Sequence, residues 1–129
     1  MACWGSNYSG QLGDGSTTDR LTPTPVTGLT GVSAIDVGFK HSCAVKQNGI
    51  VACWGNNDDG QLGDGTTTNR LTPTPVAGLT GVTAVTAGSY QSCALQRNST
   101  AYCWGYNSSG QLGDGSVISR VTPTPVVRL

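Results

Sequence analysis

Three acids and three arginines stand at matching places along this chain. Asp14, Asp64 and Asp114 each stand third in a Leu-Gly-Asp-Gly phrase, and Arg20, Arg70 and Arg120 each follow before Thr-Pro-Thr-Pro. An acid repeated in a glycine-rich loop has the chemistry of a calcium ligand, and Asp58-Asp59 adds charge in the middle copy. The other copies carry Tyr8-Ser9 and Ser108-Ser109 there, so the extra charge is not part of the unit. In the plainer reading each Asp caps its loop backbone while glycine supplies positive φ. A repeated Asp with a repeated Arg then suggests an ion pair fixing a long loop to an edge strand, with no ligand required. No cofactor and no metal are expected.

Cysteine offers a second chemistry. Cys43 and Cys53 flank Asn48 symmetrically, and Cys93 and Cys103 flank Asn98 in the same way. Strand partners placed like this can face each other across a ladder at disulfide distance. Buried thiols are the alternative. A metal site is disfavoured, because no short Cys-x-x-Cys pair occurs and His41 is the single histidine. Cys3 is expected to have had its partner in a strand upstream of Met1. Disulfides would place the protein outside the reducing cytosol, at the cell surface or beyond it.

Other side chains suggest binding more than catalysis. Trp4, Trp54 and Trp104 occupy one repeat position, where they either stack on sugars or fill the space between packed sheets. His41 has Gln91 as its counterpart, which excludes a repeated histidine site, and no nucleophile–base arrangement is indicated. The expectation is a non-enzyme. Phe39-Lys40-His41 in one copy becomes Ser89-Tyr90-Gln91 in the next, and Asp58-Asp59 also differs between copies. These are the binding candidates, since changeable loops on a rigid scaffold make partner surfaces; neutral drift at exposed sites explains them equally well. Asn7, Asn98 and Asn107 open Asn-x-Ser/Thr sequences that accept glycans in a secretory host, and the Thr-Pro-Thr-Pro segments are candidate O-glycan acceptors. Chance is an adequate source of both in so Ser/Thr-rich a chain.

The elements that position these residues recur with them. Cys-Trp-Gly at Cys3, Cys53 and Cys103 opens a phrase ending in Arg-x-Thr-Pro-Thr-Pro-Val, so the chain is one repeat array over residues 1–129. With charged residues at 11%, net charge +0 and no basic cluster, it has no footprint for a phosphate backbone, and no nucleic-acid partner is expected. No stretch is apolar enough for a membrane span. The regular return of Val, Leu, Ile, Trp and Cys argues against disorder despite the glycine content.

Val32–Val37 reads as a buried strand, Ser42–Val45 as a second, Lys46–Gly49 as a hairpin turn, and Ile50–Trp54 as a third strand. Leu71–Val76 suits an outermost edge, because proline cannot donate to a ladder. Four antiparallel strands per unit with no helical periodicity predict an all-β fold of β-propeller blades, with a β-solenoid as the rival. Residues 32–76 and 82–126 form complete blades, and residues 1–26 the C-terminal half of another.

The phrases Gly38-x-x-His-Ser-Cys-Ala-Val45, Val51-x-Cys-Trp-Gly55, Asn57 and Gly60-Gln-Leu-Gly63 resemble the regulator of chromosome condensation repeat family, in a Cys-Trp-Gly form of bacterial type. The resemblance covers essentially the whole chain and departs at Gln91. It implies a propeller that closes with seven blades. It implies little about activity, because the family includes a nucleotide-exchange factor, light receptors and enzyme inhibitors. About two and a half blades do not close a ring, and Met1-Ala2 runs straight into the repeat phrase with no leader-like stretch. The expectation is therefore a mature product, an excised piece or an engineered segment, completed by further repeats of a longer chain or by copies of itself as ring or filament. The function expected is a protein-interaction scaffold or self-assembling building block. A carbohydrate-binding propeller is the alternative, and nucleotide exchange follows by family analogy alone.

Overall fold

The computed structural model describes residues 1–127. It is all-β, with ten strands among the described residues: β1 Ala2–Gly5, β2 Arg20–Pro25, β3 Val32–Val37, β4 His41–Lys46, β5 Val51–Gly55, β6 Arg70–Pro75, β7 Val82–Ala87, β8 Gln91–Gln96, β9 Ala101–Gly105 and β10 Arg120–Pro125. They form one two-stranded sheet, β1-β2, and two four-stranded antiparallel meanders, β3-β4-β5-β6 and β7-β8-β9-β10. These are propeller blades with consecutive strands adjacent in space.

The order within each blade follows from composition. β5, with sequence Val-Ala-Cys-Trp-Gly, is buried along its whole length, and β4 is buried at all but its last residue, as suits central strands covered on both faces. β6 and β10 carry Thr-Pro-Thr-Pro and lie at the sheet edge. Their pairing slips between Cys53 and Gly55, and between Arg120 and Thr124, so a bulge bends each outer strand.

Observed strand ends differ from the sequence reading by one residue. β5 begins at Val51 because the Lys46 amide donates to the Ile50 carbonyl, which puts Ile50 in the turn. β4 begins at His41, which pairs with Gly55, so His41 is a strand residue and not a loop residue.

The main core lies between the two complete blades. Cys43, Val45, Val51, Cys53, Leu62 and Val76 from one side meet Leu79, Val82, Val85, Ala94 and Trp104 from the other. A smaller cluster of Val26, Leu29, Ala44 and Trp54 joins β1-β2 to the middle blade. Neither sheet hides its apolar face without its neighbour, which is how repeat arrays gain stability.

Candidate functional site

The long loops 6–19, 56–69 and 106–119 are built alike around one asparagine. Asn57 is fully buried, and its Nδ2 donates to the Thr66 carbonyl at 2.9 Å, the Thr68 carbonyl at 3.0 Å and Asp64 Oδ1 at 3.2 Å. Its Oδ1 accepts the Leu62 amide at 3.0 Å. Asn7 and Asn107 make the same set of bonds in their own loops. The aspartates complete the knot. Asp64 Oδ1 accepts the Thr66 hydroxyl and amide, while Oδ2 accepts Arg70 Nε at 2.8 Å; the Asp14–Arg20 and Asp114–Arg120 pairs measure 2.7 and 2.8 Å. The Ser16 hydroxyl and Arg20 hold the Asp14 carboxyl down at about 2 against its partial burial, and Ser116 with Arg120 does the same for Asp114. For Asp64, burial pushes upward, but Thr66 and Arg70 outweigh it and the net direction is down. With its lone pairs already spent on internal donors, each aspartate serves as a loop brace. Among the described residues no group of three or more His, Cys, Asp or Glu side chains is placed to hold a metal.

The first two loops also join their blades to the next. Trp54 Nε1 and the Ser42 hydroxyl both donate to the Gln11 carbonyl, at 2.9 and 2.8 Å. Trp104 Nε1 and the Ser92 hydroxyl donate to the Gln61 carbonyl at 2.9 and 2.8 Å. Trp54 and Trp104 are 0% exposed, whereas Trp4 is 61% exposed. The indole fit requires glycine opposite it. A Cβ on Gly63, whose φ is +69°, would come within 2.7 Å of Trp104 Nε1.

His41 belongs to this joint. It was expected at the partner surface with Phe39 and Lys40, but it is 1% exposed, and its Nε2 lies 2.8 Å from Ser92 Oγ. Ser92 spends its proton on the Gln61 carbonyl, so Nε2 must carry the ring proton and donate it. Nδ1 is left as a buried acceptor without a partner. Burial pushes the imidazole down to about 4, with Asp36 pulling weakly the other way. This Ser–His contact therefore runs opposite to nucleophile activation: the histidine donates, and the serine has no proton to offer it.

Of the remaining binding candidates, Phe39, Lys40, Ser89 and Tyr90 lie in the short β3–β4 and β7–β8 loops, Gln91 opens β8, and Asp58-Asp59 lie in the middle long loop. Phe39 and Tyr90 meet edge to face with ring centroids 6.1 Å apart, and Tyr90 meets Tyr106 at 6.2 Å. Lys40 Nζ lies 5.4 Å above the Phe39 ring. All three rings are at least one-third exposed, as are Lys40 and Ser89. Gln91 is half-buried against Gly88, Asp58 is exposed, and Asp59 is half-buried. Burial and the neighbouring Asp58 push the Asp59 carboxyl up. Backbone bonds tie these loops to the long ones, with the Asn56 amide donating to the Lys40 carbonyl and the Tyr106 amide to the Tyr90 carbonyl. Beyond Phe39 a cavity of about 330 Å³ opens towards Trp4, with Gln11, Val37 and Ser42 on its walls. Tyr106 escaped the sequence reading because Ser6 and Asn56 hold its place in the other copies; a lone aromatic at a variable position was the available signal.

Disulfides join Cys43 to Cys53 and Cys93 to Cys103, each with Cα atoms 4.1 Å apart across directly paired strand positions. Cys3 is a free thiol, half-buried, and burial pushes its pKa up.

The family described as the regulator of chromosome condensation (RCC1) repeat matches residues 3–45, 48–95 and 98–129, and a second description of the same repeat matches residues 32–61 and 82–111. The chain belongs to the RCC1 repeat family. The RCC1 repeat at 48–95 runs from β5 and β6 into β7 and β8, so each family unit ties two blades together covalently.

No curated protein sequence matches the chain. Among solved structures, Prp20p from Saccharomyces cerevisiae, studied for its binding to Gsp1p and histones, superposes with a TM-score of 0.83 at 24% identity over 98% of this chain. Yeast RCC1 (Prp20) bound to Kap60 gives 0.83 at 23% over 98%, and human WBSCR16 gives 0.80 at 25% over 96%. The chain spans about a third of each, 34%, 33% and 32% of their lengths. The two yeast matches speak for the fold alone. No helix among the described residues is long and apolar enough to cross a membrane.

Proposed function

We propose that this chain is a non-catalytic protein-interaction module whose contact surface is the row Phe39–Tyr90–Tyr106 with Lys40. The carrying observation is that Phe39, Lys40 and Tyr90 sit on short loops whose sequences differ between blades, and Tyr106 on the variable first position of a long loop whose Gly-Gln-Leu-Gly-Asp-Gly core is the same in all three copies. Exposed aromatics on a rigid frame supply contact area at small entropic cost, which is the composition of interface hot spots. Neighbouring rings stand at 78° and 70° to each other, so they present notches between edges and faces, not one flat platform. That geometry supports peptide side chains over stacked sugar rings, with a carbohydrate-binding propeller as the alternative reading. Nucleotide exchange has no support beyond the family likeness.

Two further readings accompany this one. The face that bears Trp4 matches, in its Cys-Trp-Gly sequence, faces that are covered elsewhere in the chain, which supports packing against a further repeat or a second copy. Light scattering across a concentration series reports this directly, and a monomer at every concentration would remove the second-copy form. The paired cysteines support a location outside the reducing cytosol, to be checked by thiol trapping in the source cells.

The main reading is tested by crosslinking in the native source, comparing the wild-type chain with the F39A/Y90A/Y106A variant. A defined partner recovered through residues of this row, and lost with the variant while both disulfides stay intact, is the expected result. A partner retained by the variant would move the surface elsewhere.

A further inference from the structure

The chain carries three Asn-x-Ser/Thr sequences, and the fold treats them differently. Asn7 and Asn107 are fully buried hubs, each with its Nδ2 donating to two backbone carbonyls of its long loop. An amide nitrogen in that position is neither reachable nor free. Asn98 is the reverse case. It lies exposed in the β8–β9 turn, and among the described residues its Nδ2 donates to nothing. Its Oδ1 accepts the Thr100 amide at 3.0 Å, which folds the side chain back and brings the hydroxyl-bearing residue beside the amide group. Ser99 takes φ +68°, holding the tip in a tight turn that projects from the blade. We infer that Asn98 is an N-glycan acceptor of the folded chain, and that Asn7 and Asn107 are not.

The reaction balances without any group from this protein beyond the amide. The Asn98 Nδ2 forms a bond to the sugar C1 of a lipid-linked diphosphate oligosaccharide. The C1–O bond to diphosphate breaks, the lipid diphosphate leaves, and the amide proton passes to a base on the transferring enzyme.

The molecule contains its own control. In the middle blade Asn48 occupies the same turn, exposed, with its Oδ1 accepting the Ile50 amide at 3.1 Å. The side-chain bond is shared, while Gly49 stands in place of Ser99, Ile50 in place of Thr100, and the Gly49 carbonyl accepts the Val82 amide of the next blade. The inference has a spatial consequence for the proposed interaction surface. Strands β7 and β8 are antiparallel, so the β7–β8 loop that bears Tyr90 and the β8–β9 turn that bears Asn98 emerge at opposite ends of the blade. A glycan at Asn98 leaves the aromatic row uncovered.

The inference rests on passage through a glycosylating compartment, and the test supplies that compartment. The full chain is secreted from a eukaryotic host behind a cleavable leader, and the folded fraction, identified by both disulfides, is mapped after glycosidase treatment in heavy-oxygen water. Occupancy is expected at Asn98 only, lost on T100A, with a second site appearing at Asn48 on I50T. An unoccupied Asn98 in folded secreted protein would overturn the inference, as would a glycan on Asn7 or Asn107 in that fraction. Failure of I50T to gain a glycan would equally sink the turn-geometry argument. None of these outcomes bears on the aromatic row, which the crosslinking experiment tests separately.

Discussion

The long loops and the short β3–β4 and β7–β8 loops share an end of each blade and obey opposite rules. In the long loops a buried asparagine and an aspartate, with the arginine that opens the following strand, repeat three times with bond lengths that agree closely. In the short loops Phe39-Lys40 faces Ser89-Tyr90, and the side chains project into solvent. The difference teaches where this fold keeps its constraints. Backbone polar groups in an irregular buried loop must find partners, so the residues that supply them are fixed. An exposed turn tied down by its backbone alone leaves its side chains free to vary.

The sharpest way to break the contrast is to remove a hub. N57D keeps the size of the side chain and its acceptor but deletes the donors to Thr66 and Thr68 and sets a second carboxylate beside Asp64. Asn57 itself is fully buried, so a carboxylate there costs on the order of several kcal/mol, and the two lost carbonyl bonds about 1 kcal/mol each; loss of cooperative unfolding is expected in a denaturant titration. W104A ranks next, at about 3–5 kcal/mol, because the indole is buried and fills the gap between the complete blades.

His41 sharpens the comparison by pH. Its folded pKa, about 4, lies below the ordinary value of 6.5, so the unfolded chain binds the proton more readily between them. The joint is fully stable above about 6.5 and weakens as pH falls towards 4, by up to about 3 kcal/mol. H41Q copies Gln91 and should remove that slope while leaving the neutral-pH melting temperature within a few degrees. The carboxylates give a lower step with the same sense. Asp14 and Asp114 hold folded values of about 2, so their stabilisation is complete above the ordinary carboxylate range and fades as pH drops from about 4 towards 2.

Smaller effects close the series. R70A removes a pair whose arginine is 36% exposed, and solvent limits its worth to about 0–1 kcal/mol. F39A with Y90A should alter stability by less still, about 0.5 kcal/mol as befits exposed positions, while abolishing partner binding. Should the aromatic pair destabilise more than N57D, the assignment of frame and surface would be reversed.

Much of the frame was legible in the sequence because repetition marks register. The Cys, Trp and Pro positions announce central strands, joints and edges through the chemistry of burial and missing donors. Asn57 stands in the repeat phrase without a role, and Asn7 and Asn107 read there as glycan acceptors, since bonds to three scattered backbone groups and one carboxylate leave no local pattern. The Gln11 and Gln61 carbonyls were invisible for a related reason: the joint uses a backbone atom, and any residue type supplies one. His41 was misplaced because a polar residue beside Phe39-Lys40 reads as loop, whereas its pairing with Gly55 carries it into β4 and the next blade. The aromatic row needed three dimensions, as its members are separated in sequence and only two of the three were singled out.

Amide hydrogen exchange followed by NMR tests the division of frame from surface most directly. The amides of Leu12, Leu62 and Leu112, each donating to a buried asparagine, should exchange only through global opening. Those of Lys40 and Ser89, which lie in the exposed short loops, should exchange orders of magnitude faster. Equal rates in the two sets, or slower exchange in the short loops, would contradict it.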